Sequence, residues 1–192
     1  MSTTCAHFSD VAFAVSVKAM QMRKSSREIY ERVDEYGAWQ TRITPDLAEF
    51  IEAQTSIFLA TANAEGQPCI QHCGGPTGFL SVLNDKTLGF ADFSGDRHCF
   101  TRGNLAINPR AYILLIDYVH RRCVTIWGEV LVVEDDAELA AKLAPAGYTA
   151  RAEQTILFSI SAWGADCPLP QRLEASDLAG RALEPREAHQ EP

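Results

Sequence analysis

The sequence predicts a mainly β protein, with six or seven antiparallel strands in a barrel and helices at its periphery. Short apolar runs recur between residues 57 and 160 at intervals of roughly 10 to 20 residues, and turn residues separate most of them. Helical patterns are inserted among these runs. Short connections between successive strands favour an antiparallel barrel over a parallel α/β sheet, in which each connection needs a crossover.

The length of 192 residues supports one hydrophobic core of ordinary size, so we expect a single domain. We place this domain at residues 1–173, with a helical arm at about residues 9–54. The remaining segment, residues 174–192, is polar and charged, and its composition is typical of a disordered tail.

Composition and charge limit the classes of partner. The apolar fraction of 46% and the charged fraction of 22% are those of an ordinary globular protein. A net charge of −8 argues against nucleic acid and against an anionic membrane surface as partners. No stretch approaches the ~20 apolar residues of a membrane helix, and the six cysteines show no regular spacing. We therefore expect a cytoplasmic protein with reduced thiols.

Capping residues mark the start of each predicted helix of the arm. Ser9-Asp10 and Ser25-Ser26 supply N-cap side chains, and Thr44-Pro45 combines a cap with a proline at the first helical position. The three helices are expected at residues 9–22, 25–37 and 44–54. The second is strongly charged, which suits a solvated surface or an arm that lies against a partner subunit.

Turn-forming residues separate the predicted strands. Asn63–Gly66 and Asn84–Lys86 supply the turns of two hairpins, and Gly128 is expected to bend the longest strand. Asp135-Asp136 marks the start of a helix before the last strand. The strands are expected at residues 57–62, 68–72, 79–83, 87–93, 111–117, 123–133 and 155–160.

The stretch from Gln71 to Asn108 concentrates the features that point to a ligand. The turn Gly74-Gly75-Pro76 leaves backbone that another molecule can approach closely. A helix is predicted over residues 97–107. Its start carries basic and hydroxyl side chains, at Arg97, Thr101 and Arg102. Such a helix start suits an anion such as a phosphate.

Four segments in this order carry a family resemblance: ATANAEGQP, GGPTGFLSVLNDKTLGFADFSGDR, GNLAINPRAYILLIDY and RRCVTIWGEVLVVEDD. The series resembles the pyridoxamine 5′-phosphate oxidase-like flavoproteins, which are FMN-binding split barrels. Within them it resembles the predicted flavin-nucleotide-binding proteins rather than the vitamin B6 enzyme. The likeness covers about residues 8–172.

The resemblance implies a homodimer that holds FMN in each of two clefts between the subunits. The positions that match the phosphate site are Arg97, Thr101 and Asn104. The flavin ring would lie along the preceding strand, at Asp92 and Phe93. The strand end from Gln71 to Gly75 faces the same cofactor in the family pattern, and its matching residues are His72, Gly74 and Gly75.

Departures from the vitamin B6 enzymes bear on the activity. Those enzymes carry an Arg–Lys pair at the phosphate helix and an Arg-rich C-terminal end, where this chain has Phe100-Thr101 and Arg172. We expect an oxidoreductase that acts on a small unidentified substrate. NAD(P)H would bind only transiently and reduce the flavin slowly, and pyridoxamine phosphate would not be oxidised. The sequence nominates no catalytic acid or base.

Other functions stay open at this point. A non-catalytic flavin- or haem-binding module would use the same fold, with His72, His98 or His120 as the haem ligand. A zinc site would draw on one cluster, Cys69, His72, Cys73, His98 and Cys99. That cluster lacks the two tight ligand pairs that structural zinc sites usually show, so the sequence predicts no metal. Trp127 is expected in the core or at an interface rather than against a flavin.

Overall fold

A computed structural model describes residues 8–35, 39–93, 99–145 and 152–165. Several predictions lie outside these ranges: the end of the second helix at Gly37, the side chains of Arg97 and His98, and the tail at residues 174–192. Within the described residues, no helix is long and apolar enough to cross a membrane.

Short helices precede the sheet and interrupt it. A 3₁₀ helix at Phe8–Val11 is followed by α1 (Val15–Arg23), α2 (Arg27–Glu35), α3 (Pro45–Glu52), α4 (Phe100–Ile107) and α5 (Ala137–Leu143).

Side-chain caps explain which helix starts were predictable. The Thr44 hydroxyl oxygen accepts a hydrogen bond from the backbone N–H of Leu47 at 3.3 Å, so the predicted start of α3 is confirmed. The predicted start of the first helix is wrong, because Ser9 and Asp10 lie in the 3₁₀ helix and α1 begins only at Val15. The Asp10 carboxylate pairs with the Lys18 ammonium group instead of capping a helix.

One antiparallel sheet contains all the described strands. These are β1 (Trp39–Gln40), β2 (Ser56–Ala62), β3 (Pro68–Gly74), β4 (Ser81–Asn84), β5 (Thr87–Phe93), β6 (Arg110–Asp117), β7 (Arg122–Glu134) and β8 (Ala152–Gly164). Their order across the sheet is β3-β2-β6-β7-β8-β5-β4, and β1 pairs with the end of β8. Seven of the eight described strands overlap the predicted ones, and β1 is the addition.

The sheet buries one face and leaves the other partly open. Along β2 the buried residues Ile57 and Leu59 alternate with the half-buried Phe58 and Ala60, as the pleat of a strand requires. Apolar side chains from β2, β5, β6, β7, β8 and α3 fill the buried side, with Leu88, Ile113 and Phe158 fully inaccessible to water. The mainly β fold with peripheral helices is therefore confirmed.

Two further features of the sheet lie at positions that the sequence analysis singled out. The pairing of β7 with β8 shifts register between Trp127 and Gly128, with Ser161 of β8 as the extra residue, so the bend of β7 at Gly128 stays a prediction. The Trp127 ring packs 5.0 Å from the ring of Trp39 and 4.8 Å from that of Tyr112, so it belongs to an aromatic cluster.

Candidate functional site

Three elements of the sheet and one helix meet at a small cleft. β3 contributes Gln71, β5 contributes Asp92 and Phe93, and α4 contributes Thr101. The other lining residues among those described are Cys99, Arg102, Glu153 and Gln154. The fold thus brings together three of the predicted cofactor residues, Asp92, Phe93 and Thr101, although they come from separate elements.

Polar side chains on one side of α4 fasten this helix to the β2–β3 hairpin. The Thr101 hydroxyl donates to Gln71 Oε1 at 2.5 Å, and Asn104 Nδ2 donates to the Thr61 hydroxyl at 3.0 Å. One turn later, Asn108 Nδ2 donates to the carbonyl oxygen of Ala62 at 3.2 Å. These bonds fix α4 against β2 and β3. Asn104 therefore positions the helix, and its predicted contact with a phosphate stays a prediction.

The start of α4 has the character of an anion site. Its N-cap residue, Cys99, adopts a left-handed conformation with φ of 52° and makes no side-chain hydrogen bond to the first turn. The first turn of a helix directs backbone N–H groups outward, and these favour an anion. Thr101 is 8% exposed and places its hydroxyl next to them. The Arg102 guanidinium lies at the rim, where it pairs with the Glu134 carboxylate.

The opposite wall of the cleft is acidic. Gln154 Nε2 donates to Asp92 Oδ2 at 2.7 Å, and Glu153 stands next to it on β8. Because a carboxylate can only accept, this bond also fixes the orientation of the Gln154 amide. Among the described residues, Gln154 Oε1 is a buried side-chain oxygen that has no hydrogen-bond partner. The cleft therefore combines a cationic end at α4 with an acceptor-rich wall at β5 and β8.

The thiol of Cys73 is held in its neutral form. Burial, with the negative charge of Asp92 as the lesser cause, raises the pKa of this thiol to about 12. A thiol must lose its proton before it attacks an electrophile or binds a metal. Within the described part of the chain, no three His, Cys, Asp or Glu residues form a group that could hold a metal ion.

His72 and Gly74 lie farther along β3, Gly75 directly follows that strand, and none of the three lines this cleft. The side chain of His72 is exposed on the opposite face of the strand from Gln71, because neighbouring residues of a strand point to opposite sides. Its ring lies 5.3 Å from that of Phe58. Contact between His72 and a cofactor in the cleft stays a prediction that this single chain does not support.

The glycine turn has a packing function within the chain. A Cβ on Gly75 would lie 2.6 Å from Cβ of Phe79, so the close approach at this glycine is made by the chain's own aromatic residue. The Gly75 N–H donates to the carbonyl oxygen of Thr55 at 3.0 Å, and the Gly78 N–H donates to that of Glu52 at 3.0 Å. These bonds attach the turn to the end of α3.

Sequence reasoning missed Gln154 as a site residue. It reaches the cleft because β5 and β8 pair with Asp92 opposite Gln154. Locally, the sequence shows only that Gln154 is a polar residue directly before the apolar run of β8. That pattern does not tell which residue of β5 will lie opposite Gln154.

The family model described as pyridoxamine 5′-phosphate oxidase matches residues 43–172, which include every element of the cleft. No curated protein matches this chain in sequence.

Solved structures of low sequence identity share the fold. HupZ of Group A Streptococcus has 21% identity and a TM-score of 0.53, over 66% of this chain and 99% of its own. A candidate pyridoxamine 5′-phosphate oxidase of Lactobacillus delbrueckii has 18% identity and a TM-score of 0.52, over 66% and 96%. An FMN-binding protein of Syntrophomonas wolfei has 15% identity and a TM-score of 0.50, over 78% and 99%.

Proposed function

Because this chain belongs to the pyridoxamine 5′-phosphate oxidase family, we propose that it is an FMN-binding flavoprotein that performs redox chemistry on a small substrate. The observation that supports this proposal most directly is the start of α4. There, the backbone N–H groups of the first helical turn stand beside the Thr101 hydroxyl, next to residues of β3 and β5. A flavin phosphate needs this combination of donors.

The described residues fit FMN end by end. The first turn of α4 would hold the phosphate together with the Thr101 hydroxyl, whose proton would turn from Gln71 Oε1 to a phosphate oxygen. Arg102 lies at the rim, and Arg97 is expected there from the family resemblance. Asp92 and Phe93 would lie along the flavin ring. When bound, the flavin would supply the electron transfer, while the protein supplies orientation and electrostatics. The Asp92 carboxylate on β5 would favour the side of the ring that donates hydrogen bonds.

We propose that a second copy of the chain completes the site. The cleft of one chain measures about 40 Å³, whereas pockets that enclose cofactor-sized ligands measure roughly 300 to 1,000 Å³. The open face of the sheet supports this proposal, because Ile70 on β3 is 69% exposed beside the half-buried Phe58, Tyr112 and Leu114. Apolar side chains on an open sheet face favour a partner surface.

Light scattering tests the dimer. At micromolar concentration the FMN-loaded protein should have about twice the chain mass of 21.1 kDa. A protein that remains monomeric and still holds FMN would contradict the proposed placement of the cofactor between subunits.

The phosphate site is tested by Thr101→Val, with Thr87→Val as the matched control because Thr87 lies on β5 at the far end from the cleft. Removing a hydroxyl that bonds a charged group costs about 1.5–3 kcal/mol. Calorimetric titration should therefore show FMN affinity lowered by about 10- to 100-fold in Thr101→Val and unchanged in Thr87→Val. Equal affinities for both variants would remove Thr101 from the site.

A haem-binding module is a second candidate, favoured by one observation. His120 Nδ1 lies 2.7 Å from Asp117 Oδ2, an arrangement that orients a histidine for iron ligation through its other nitrogen. Hydrogen bonds from His120, its backbone N–H first, hold the pKa of Asp117 below its usual value. The visible spectrum of the purified protein separates the two candidates. Flavin bands support the first proposal, and a Soret band that His120→Ala abolishes supports the second.

A further inference from the structure

A second cavity opens beside the candidate flavin cleft, between α5 and the strands β5, β7 and β8. It measures about 400 Å³, which is room for a small organic molecule. Phe93, Glu153 and Gln154 line both this cavity and the cleft. The two spaces therefore share one wall.

The cavity is built into the fold by anchors at both ends of α5. At the start of the helix, Asp136 Oδ1 accepts a hydrogen bond from the Leu139 N–H at 2.9 Å. At its end, Leu143 is 2% exposed and packs against Gly89, where an added Cβ would meet Leu143 Cδ1 at 3.0 Å. Between these anchors the helix presents only alanines to the space. Larger side chains there would close it.

We call this space the alanine cavity, after the alanines of α5 and β8 that line it. Its walls favour ligands of one charge as well as of one shape. Its apolar surface comes from Phe93, Val133 and the alanines of α5 and β8. Three of the described lining residues carry carboxylates, Asp135, Asp136 and Glu153, and none of the described lining residues is basic. Among the described residues that line the adjoining cleft, the basic one is Arg102, which is paired with Glu134. A cation is favoured in such surroundings and an anion is repelled.

An unpaired acceptor gives independent support for a ligand with N–H groups. Gln154 lies in the shared wall, and its amide oxygen is buried with no partner among the described residues. Its amide nitrogen is held by Asp92, so the oxygen cannot be satisfied by exchanging the two ends of the amide. A buried acceptor without a partner is unfavourable, so a turn of the Gln154 side chain toward a donor in the cavity would be favoured.

We propose that the alanine cavity binds a small organic ammonium ion with an apolar body. The apolar body lies against the alanines and Phe93, and the ammonium group lies toward Glu153 and Gln154. Binding itself does not require flavin. Only the identification of this ligand as the substrate rests on the proposed function, since the cavity opens beside the position expected for the flavin ring.

The test uses three probes of similar shape on the full chain without added FMN: 2-phenylethylammonium, 2-phenylethanol and 3-phenylpropanoate. Calorimetry or ligand-observed NMR should show the ammonium ion bound at least about tenfold more tightly than the alcohol, and the carboxylate not bound. Equal binding of the ammonium ion and the alcohol, or no binding of the ammonium ion at millimolar concentration, would overturn the proposal.

Two variants locate the site. Glu153→Gln is an exposed substitution that keeps the fold, and it should reduce the preference for the ammonium ion over the alcohol by severalfold. Ala140→Leu should fill the cavity and abolish binding of both probes. Glu65→Gln and Ala64→Leu, in the exposed turn before β3, are the matched controls and should change nothing.

Ammonium binding that is unaffected by Glu153→Gln and by Ala140→Leu would place the probe elsewhere on this acidic protein and overturn the proposal. FMN binding is titrated separately on the same samples. A failure to bind FMN and a failure to bind the ammonium ion are thus observed separately, and each refutes only its own proposal.

Discussion

The thiol of Cys73 offers a quantitative test of the environment around β3. Burial first, and the Asp92 carboxylate second, raise its pKa from an ordinary value of 9.0 to about 12. At pH 8 a thiol of pKa 9.0 is about one-tenth ionised, whereas one of pKa about 12 is ionised in roughly one molecule in ten thousand. Alkylation follows the thiolate, and the greater nucleophilicity of a thiolate of higher pKa offsets about half of the logarithmic difference. Cys73 should therefore react roughly fiftyfold more slowly than an ordinary cysteine.

Iodoacetamide labelling at pH 8, followed by peptide mass spectrometry, measures this rate directly. Cys99, which is exposed, serves as the reference within the same sample. In urea the two cysteines should label at similar rates. Labelling of Cys73 within about tenfold of Cys99 in the native protein would refute the reasoning, because a thiol of such a high pKa lacks the thiolate that this rate requires.

The same shift predicts how stability depends on pH. The folded chain binds the Cys73 proton more tightly than the unfolded chain does. The stabilisation is therefore complete below about pH 9 and falls as the pH rises toward about 12, since only the unfolded chain releases the proton in that window. The free energy of unfolding of the native sequence should fall more between pH 8 and pH 10 than that of Cys73→Ala. An equal loss of unfolding free energy in the two proteins would contradict the raised pKa of Cys73.

The remaining predictions concern stability, cofactor binding and activity. Gly128→Ala should lower the free energy of unfolding by about 3 kcal/mol, because the new Cβ would lie 2.1 Å from the Ser159 carbonyl oxygen and 2.4 Å from Phe158 Cε1. Gly103→Ala, with open space around it, should raise that free energy by about 0.5–1 kcal/mol, and equal effects in urea titrations would disprove the packing argument. Arg97→Ala should weaken FMN binding by about 1.5–3 kcal/mol, and unchanged affinity by calorimetry would remove Arg97 from the phosphate site. Anaerobic mixing of the FMN-loaded protein with pyridoxamine phosphate should leave the flavin oxidised, and rapid bleaching would show a vitamin B6 oxidase.

Local chemistry made much of this fold predictable. The turn Asn84–Lys86 joins two apolar runs, and the hairpin β4–β5 forms where those runs predict it. Thr44-Pro45 starts α3 because the hydroxyl cap and the proline both act within one turn. The start of α1 could not be found in this way, because a carboxylate such as that of Asp10 can cap a helix or pair with a lysine. In the structure it pairs with Lys18. The two-residue β1 forms by pairing with the end of β8, which its own sequence does not signal.

The candidate site was predictable only in part. Thr101, Asp92 and Phe93 lie together, as the family resemblance implied. Gln154 joins Asp92 across 62 residues, and that contact depends on the register of β5 against β8. The alanine cavity likewise depends on how far α5 stands from the sheet, a distance that packing at Leu143 decides.

Parallel titration with FMN and with riboflavin tests the central claim most directly. The two ligands share the flavin ring and differ in the phosphate, which the start of α4 and Thr101 are proposed to bind. Charge-assisted hydrogen bonds contribute about 1.5–3 kcal/mol each. FMN should therefore bind at least about 100-fold more tightly than riboflavin. Equal affinity for the two ligands, or no binding of FMN by the dimer, would contradict the account.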